Sequence, residues 1–141
     1  MKVAVVGPGA MGTLFAARLA QSGVQTTLVD HRADRASTLQ KSGLRVESES
    51  GVLQARPTVG TSIPSGQDLV LILTKAYATR ELRLPPEVPI LTLQNGLGNV
   101  ETLCAMVGSA RVLAGVTFEA ATTVTEGTIR HVAGGPTRFG P

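Results

Sequence analysis

Short apolar runs alternate with amphipathic stretches at the start of the chain. Residues 3–6 are all apolar and are bounded by Gly7, a pattern typical of a strand that is covered on both faces. Residues 10–21 carry apolar side chains at helical spacing, and Gly23 follows where a helix C-cap is expected. Residues 26–29 predict the next strand. Together these segments predict a β-α-β unit of about 30 residues.

The alternation continues through the middle of the chain. Further predicted elements are a helix over residues 33–40, a hairpin of two strands over 44–48 and 51–56, strands over 69–74 and 90–93, and only a degenerate helix over 76–84. A helix then follows, with Asn99 as its expected N-cap and Gly108 beyond its end.

From Arg111 onwards the sequence is rich in Val and Thr, with Glu126-Gly127 as the expected turn between two strands. We expect these strands to extend one edge of the sheet. Because the pattern contains no repeat or linker, residues 1–141 are interpreted as one domain. The predicted fold class is α/β: a doubly wound, Rossmann-type, mostly parallel sheet with extra antiparallel strands near the C-terminus.

Composition narrows the function classes. Three Phe, one Tyr and no Trp imply an aliphatic core, and the scattered basic residues behind the net charge of +3 argue against a nucleic-acid partner. No apolar run is longer than that of residues 69–73, which is too short for a membrane span. The N-terminus also lacks a signal-peptide core, so a cytoplasmic protein is expected. The single Cys104 precludes an internal disulfide. His31 and His131 are isolated surface or edge-strand candidates, and no metal site is predicted.

A glycine-rich motif follows the first predicted strand and opens the first helix. It has the form G-x-G-x-x-G and consists of Gly7, Pro8, Gly9, Ala10, Met11 and Gly12. Its glycines suit a tight turn, close approach of a pyrophosphate and close helix–strand packing, while the helix N-terminus favours an anion. Purely steric reasons also produce such loops, but the surrounding β-α-β pattern favours dinucleotide binding.

Charged residues after the second strand give two conflicting signals. Asp30 lies eighteen residues after Gly12, near the position where an acid accepts hydrogen bonds from the ribose of NAD. His31 and Arg32 follow at once, and an arginine here can instead bind the 2′-phosphate of NADP. For Arg35, a place in a solvated charged turn is as good an interpretation as any functional role.

Two polar residues end later strands. Lys75 follows residues 69–74, and Asn95-Gly96 follows residues 90–93 but leads into a helix rather than a hairpin partner. If both strands are parallel, these residues lie at the carboxyl edge, where open α/β sheets bind ligands. The Asn95 amide suits a carboxamide or a carbonyl substrate. A lysine reaching solvent and simple loop geometry remain the alternatives.

Four segments carry a resemblance to a known family: "GPGAMG", "LILTKAY" at 71–77, "PILTLQNGLGNVE" at 89–101, and "GVTFEAA" with "GTIRHVAGGPTRFGP" at the end. Their order resembles the N-terminal nucleotide-binding domain of the ketopantoate reductase (2-dehydropantoate 2-reductase) family. The resemblance implies NADPH-dependent reduction of ketopantoate to pantoate, on the route to pantothenate and coenzyme A. It further implies that the glycine motif holds the pyrophosphate, that Lys75, Asn95 and Ala121 line the nicotinamide side, and that Asn95 also lies near the substrate.

Two departures from the family pattern matter. The family commonly binds the 2′-phosphate with an arginine just after the second strand, where this sequence has Asp30-His31-Arg32, so a shift of one residue decides whether Arg32 can bind it. NADP(H) is therefore expected, while NAD(H) stays open. Family members also continue into a helical substrate domain that carries the lysine acting as general acid. That domain is absent from this chain, so we predict no catalytic residue in residues 1–141. We expect dinucleotide binding with little or no turnover.

Rival interpretations stay open. One is a reductase of another 2-keto acid, and a second is a non-catalytic NAD(P)-sensing module. A methyltransferase is disfavoured because S-adenosylmethionine carries no pyrophosphate. The expected partner is a small 2-keto acid, and a homodimer stays open.

Overall fold

The computed structural model describes residues 1–95 and 97–141. Gly96, which belongs to the predicted Asn-Gly loop, lies outside the described residues. The strands are β1 (Lys2–Val6), β2 (Gln25–Val29), β3 (Leu44–Ser48), β4 (Gly51–Ala55), β5 (Thr58–Gly60), β6 (Leu69–Ile72), β7 (Ile90–Thr92), β8 (Val112–Thr117), β9 (Ala120–Thr125), β10 (Thr128–Ala133) and β11 (Thr137–Gly140). The α-helices are α1 (Ala10–Gln21), α2 (Ala33–Ser42) and α3 (Asn99–Val107), and short 3₁₀ helices cover Ala76–Glu81 and Ser109–Arg111.

The main sheet has seven strands in the order β5-β2-β1-β6-β7-β8-β11. Every neighbouring pair is parallel except β8 and β11, which are antiparallel. The six parallel strands have the order of a doubly wound nucleotide-binding sheet, in which the direction of winding reverses between β1 and β6. The predicted Rossmann-type fold with a mostly parallel sheet is confirmed.

Alternate residues of β1 face two separate apolar cores. Val3 and Val5 pack with Leu14 of α1 on one side of the sheet. Ala4 packs with Leu103 of α3 on the other. Burial on both faces explains why the central strands are continuous apolar runs. Because α1 packs against β1, the glycine motif that connects them is held at the carboxyl end of that strand.

A second, four-stranded sheet lies over α1, in the order β4-β3-β10-β9. The prediction that the strands after Arg111 extend the main sheet is therefore wrong for β9 and β10, although it holds for β8. The strand β11, which pairs with β8, was not predicted. β10 pairs in parallel with β3, and β9 pairs antiparallel with β10. Ile129 of β10 packs into the same core as Leu44 and Val46 of β3, so burial of these apolar faces against α1 favours the separate sheet.

The ends of some strands and helices differ by one or two residues from those predicted. β6 and β7 end before the predicted strand ends, and the three-residue β5 was not predicted. Asn99 is not the N-cap of α3 as predicted: Gly98 is, with φ of 88° in the left-handed region, and Asn99 is the first helical residue. Glycine adopts this conformation without a Cβ penalty, which explains the shift.

Within the part of the chain that the structure covers, no helix is long and apolar enough to cross a membrane.

Candidate functional site

The carboxyl ends of β1, β6 and β7 bring three loops together beside the point where the winding reverses. They carry the glycine motif, Thr74-Lys75 and Gln94-Asn95. A Cβ added to Gly7 would lie 2.8 Å from the Thr74 backbone nitrogen, so the first two loops are in direct contact. Ligands of open α/β sheets bind at this kind of crevice.

Each glycine of the motif has a separate structural reason. Gly7 has a φ of 112°, which side-chain-bearing residues rarely adopt. A Cβ on Gly12 would lie 1.7 Å from the Gly7 carbonyl oxygen, so only glycine lets α1 approach the strand end this closely. A Cβ on Gly9 would meet no atom within 4 Å. Gly9 therefore faces open space at the N-terminus of α1, and this is the surface that a pyrophosphate needs.

The other residues of the motif shape the loop. Pro8, Ala10 and Met11 are half-buried, and the Thr13 hydroxyl donates a hydrogen bond of 3.2 Å to the Pro8 carbonyl oxygen. Thr13 is itself buried, with 1% of its surface exposed. The sequence interpretation missed Thr13, whose only signal was a polar residue on the buried face of a predicted helix.

The Gln94 side chain ties the second loop to the third. Its amide donates hydrogen bonds of 2.8 Å to the Thr74 carbonyl oxygen and 2.8 Å to the Thr79 hydroxyl. The Asn99 amide donates a hydrogen bond of 2.9 Å to the Asn95 carbonyl oxygen. Sequence reasoning also missed Gln94, because a glutamine at a strand end carries no specific signal. These bonds hold the backbone beside Lys75 and Asn95 in place.

Lys75 and Asn95 are exposed at the ends of neighbouring strands. Among the described residues, neither side chain has a hydrogen-bond or ion-pair partner. The structure thus brings both predicted residues to the same edge of the sheet as the glycine motif. An ammonium group and an amide without protein partners can bind an anionic or carbonyl-bearing ligand.

Asp30 lies at the end of β2 with a fully buried side chain, 0% exposed. Its carboxylate accepts hydrogen bonds from Nε and Nη2 of Arg35, the latter at 2.9 Å, and from the Arg32 backbone N–H at 3.0 Å. Burial raises the pKa of Asp30, but these hydrogen bonds and the nearby positive charges outweigh it and hold the pKa below its ordinary value. The carboxylate is therefore ionised but enclosed. This arrangement disfavours the predicted contact with a ribose, which stays a prediction.

The side chains of the two neighbouring residues, His31 and Arg32, are more accessible than that of Asp30. The His31 side chain is 84% exposed, and the Arg32 side chain is 49% exposed. Arg32 forms a surface ion pair of 2.8 Å with Asp34, whose side chain is 74% exposed. Arg35 is not simply part of a solvated turn, because it forms the buried pair with Asp30.

Ala121 lies in β9, in register with His131, and packs against the core around α1. The structure therefore places it in the second sheet rather than on the strands that carry Lys75 and Asn95. Its role beside the nicotinamide stays a prediction.

A cluster of three ionisable side chains, Arg18, Glu119 and His131, joins the second sheet to α1. Glu119 accepts a hydrogen bond of 2.7 Å from Arg18. Its other carboxylate oxygen is hydrogen-bonded to Nε2 of His131. Burial raises the pKa of Glu119, but the contacts with Arg18 and His131 outweigh it and lower the pKa from its ordinary value. His131 is thus a half-buried, paired residue rather than a free surface histidine. No spacing in the sequence links these three residues.

Two cavities lie away from the carboxyl edge. One of about 300 Å³ is lined by the second sheet together with Arg18 and His131, and one of about 210 Å³ lies beside Arg45, Arg56 and Glu126. The glycine motif lines neither. A dinucleotide binds in an extended form along strand ends, so the exposed edge fits it better than these small cavities do.

The comparisons agree with this geometry. The profile of the ketopantoate reductase PanE/ApbA family matches residues 3–141. A 2-dehydropantoate 2-reductase from Halobacterium salinarum is 37% identical over 148 aligned positions, which cover 99% of this chain and 49% of the relative. Among solved structures, a PanE/ApbA family ketopantoate reductase from Ralstonia eutropha is 30% identical with a TM-score of 0.87, covering 99% of this chain and 49% of that one. A D-mandelate dehydrogenase solved with NADH and anilino(oxo)acetate has a TM-score of 0.89 at 24% identity, covering 99% and 48%, and shows a shared fold.

The chain spans about half the length of the curated relatives that it matches. The match nevertheless extends over almost every residue of this chain, including the glycine motif, Lys75 and Asn95. The chain therefore belongs to the ketopantoate reductase (PanE/ApbA) family.

Proposed function

We propose that this chain forms the cofactor-binding half of an NADPH-dependent reductase that converts ketopantoate to pantoate. The observation that carries the proposal is the edge built by the glycine motif, Lys75 and Asn95, with open space at Gly9. Its setting would be the cytoplasm, on the route to pantothenate and coenzyme A, with a small 2-keto acid as the partner molecule. The choice of ketopantoate as substrate is supported by the 37% identity to the Halobacterium protein, which is named as a 2-dehydropantoate 2-reductase.

We assign different parts of the cofactor to different residues of this edge. The backbone at Gly9 and the N-terminus of α1 bind the pyrophosphate, because unpaired N–H groups and the helix dipole favour an anion there. Lys75 and Asn95 orient the nicotinamide, and the Asn95 amide also positions the substrate carbonyl. When bound, the cofactor supplies a hydride from the nicotinamide C4 to the 2-keto carbon. We assign no residue of this chain to the protonation of the resulting alkoxide, and propose that in the longer relatives this proton comes from the region that this chain does not match.

Preference for NADPH over NADH rests on the end of β2. An acid that selects NAD must present its carboxylate to the ribose hydroxyls, whereas the Asp30 carboxylate is buried beneath Arg35. Arg32 instead presents its guanidinium group to solvent at this position, beside the exposed imidazole of His31. A 2′-phosphate would gain charge-assisted hydrogen bonds from such donors.

Parallel calorimetric titrations of the chain with NADPH and NADH test the cofactor, followed by an assay of ketopantoate reduction. We expect binding of NADPH about tenfold tighter than of NADH, and turnover far below that of a complete enzyme. Tighter binding of NADH, or turnover at about 1 per second or more, would contradict the proposal.

A reductase of a different 2-keto acid is the second candidate, supported by the shared fold of the D-mandelate dehydrogenase. A panel of 2-keto acids, assayed for reduction with NADPH, separates the two. Reduction of ketopantoate at least about tenfold more efficiently than other 2-keto acids favours the first.

A further inference from the structure

Arg35 is the third residue of α2, yet its side chain reaches back to the end of β2. Both Nε and Nη2 donate to the Asp30 carboxylate, one to each oxygen, so the pair is bidentate. The Arg35 side chain is 24% exposed and that of Asp30 is 0% exposed. A bidentate pair of this kind fixes the direction in which the carboxylate points.

Arg32 has a different situation, although it lies only three residues away. Its side chain pairs with Asp34 at the surface, where both partners are largely exposed. Such a pair is weak and exchanges readily for another anion. Arg32 contributes to Asp30 only through its backbone N–H. The two arginines are therefore not equivalent: Arg32 can move to a ligand, while Arg35 is committed to Asp30.

Without Arg35, the Asp30 carboxylate would keep only one hydrogen bond from the described residues, that of the Arg32 backbone N–H, with Nδ1 of His31 3.9 Å away. A buried carboxylate with so few partners is strongly disfavoured, and rotation towards solvent relieves it. The end of β2 is the place where the adenosine ribose lies in this fold class. A carboxylate released there would accept hydrogen bonds from an unsubstituted ribose and would repel a 2′-phosphate.

We propose that Arg35 is a specificity-determining residue: it keeps Asp30 away from the adenosine ribose and thereby sets the preference for NADPH. Arg35 acts through Asp30 and is a positioning residue that need not touch the cofactor. The inference rests on the proposed function, because it concerns the same nucleotide site.

The test compares the dissociation constants of NADPH and NADH for four chains: the parent, Arg35→Met, Asp30→Asn, and the double variant. Arg45→Met is the matched control, because Arg45 also pairs with a carboxylate, that of Glu47 at 3.3 Å, but does so on the second sheet. We expect Arg35→Met to lower the preference for NADPH over NADH by about tenfold or more. Asp30→Asn and Arg45→Met should leave the preference within about twofold of the parent value.

The double variant tests whether the Asp30 carboxylate causes the change in cofactor preference. If the released carboxylate causes the change, removing its charge restores the preference to within about threefold of the parent value. A preference that Arg35→Met leaves unchanged, or that the double variant fails to restore, overturns the inference. A parent chain that prefers NADH contradicts the proposed cofactor instead, while the shift caused by Arg35→Met still reads out the role of Arg35.

Arg35→Met leaves a buried charge with few partners and can destabilise the fold. Arg35→Lys keeps the charge but lacks the bidentate geometry. Circular dichroism verifies folding, and Arg35→Lys should lower the NADPH preference by about threefold, again without effect in the Asp30→Asn background. An unchanged preference in Arg35→Lys, where Arg35→Met does not fold, overturns the inference.

Discussion

The carboxyl edge of the main sheet and the layer between α1 and the second sheet both carry charged side chains, but they hold them differently. At the edge, Lys75 is exposed and has no partner among the described residues. In the layer, Glu119 lies between Arg18 and His131 and is mostly buried. Polar groups that already have partners stabilise the fold, whereas groups without partners are available to a ligand. The comparison predicts that substitutions at the edge change binding and that substitutions in the layer change stability.

Two of the three glycines of the motif, Gly12 and Gly9, should give the largest contrast. Gly12→Ala places a Cβ 1.7 Å from the Gly7 carbonyl oxygen, and we expect a loss of at least about 3 kcal/mol in the free energy of unfolding. Gly9→Ala meets no protein atom within 4 Å, so stability should change by no more than about 0.5 kcal/mol while NADPH binding weakens by more than about tenfold.

Urea unfolding and calorimetry measure the two quantities. Gly140→Ala is the control, since its Cβ also enters open space but lies on the edge strand β11. A Gly9→Ala chain that binds NADPH as tightly as the Gly140→Ala chain would remove Gly9 from the site.

Glu119→Gln should lower the free energy of unfolding by about 2 kcal/mol at neutral pH, because it removes the carboxylate charge that pairs with Arg18 and weakens the hydrogen bond with His131. NADPH affinity should stay within about twofold. The lowered pKa of Glu119 stabilises the fold above the carboxyl's ordinary value of 4.5, and this contribution is lost as the pH falls through the lower, folded-state value. The difference between parent and variant should therefore disappear in acid. A difference that persists unchanged at low pH would contradict the charge-based account.

Lys75→Met should weaken NADPH binding by about tenfold, the loss of one charge-assisted contact. The melting temperature should hardly move, because the side chain is exposed and has no partner in the described part of the chain. Lys41→Met is the matched control on the exposed side of α2. Equal NADPH affinities for the two variants would show that the Lys75 charge does not contribute.

The smallest effect is expected from Asp34→Asn, which removes the surface partner of Arg32. Freed from this pair, Arg32 should bind a 2′-phosphate better, and NADPH affinity should rise by about twofold while NADH affinity stays constant. Weaker NADPH binding in this variant would argue that Arg32 does not reach the phosphate. Titrations at two salt concentrations add a check, because the gain should shrink at high salt.

The same contrast separates what the sequence could predict from what it could not. β1, the glycine motif and α1 follow one another directly, so spacing and periodicity were sufficient to predict them. Lys75 and Asn95 were predicted because each ends an apolar strand and parallel strands share an edge. All of this information lies within short stretches of the chain.

The parts that could not be predicted depend on contacts between distant segments. Pairing of β10 with β3 joins residues far apart in the sequence, and an alternating strand pattern does not state which sheet a strand joins. The contact of Arg18 with Glu119 spans 101 residues. The Asp30–Arg35 pair is local, but the charged stretch contains two arginines and nothing in it states which one turns back to the strand.

Backbone amide chemical shifts of the chain during a titration with NADPH test the central claim most directly. The account predicts that the largest changes lie at Gly9, at residues 31–35 and at Lys75 and Asn95. Residues 48–53, all of which except Glu49 line the cavity of about 300 Å³, should stay unchanged. Changes concentrated at residues 48–53, with none at Gly9, would contradict it.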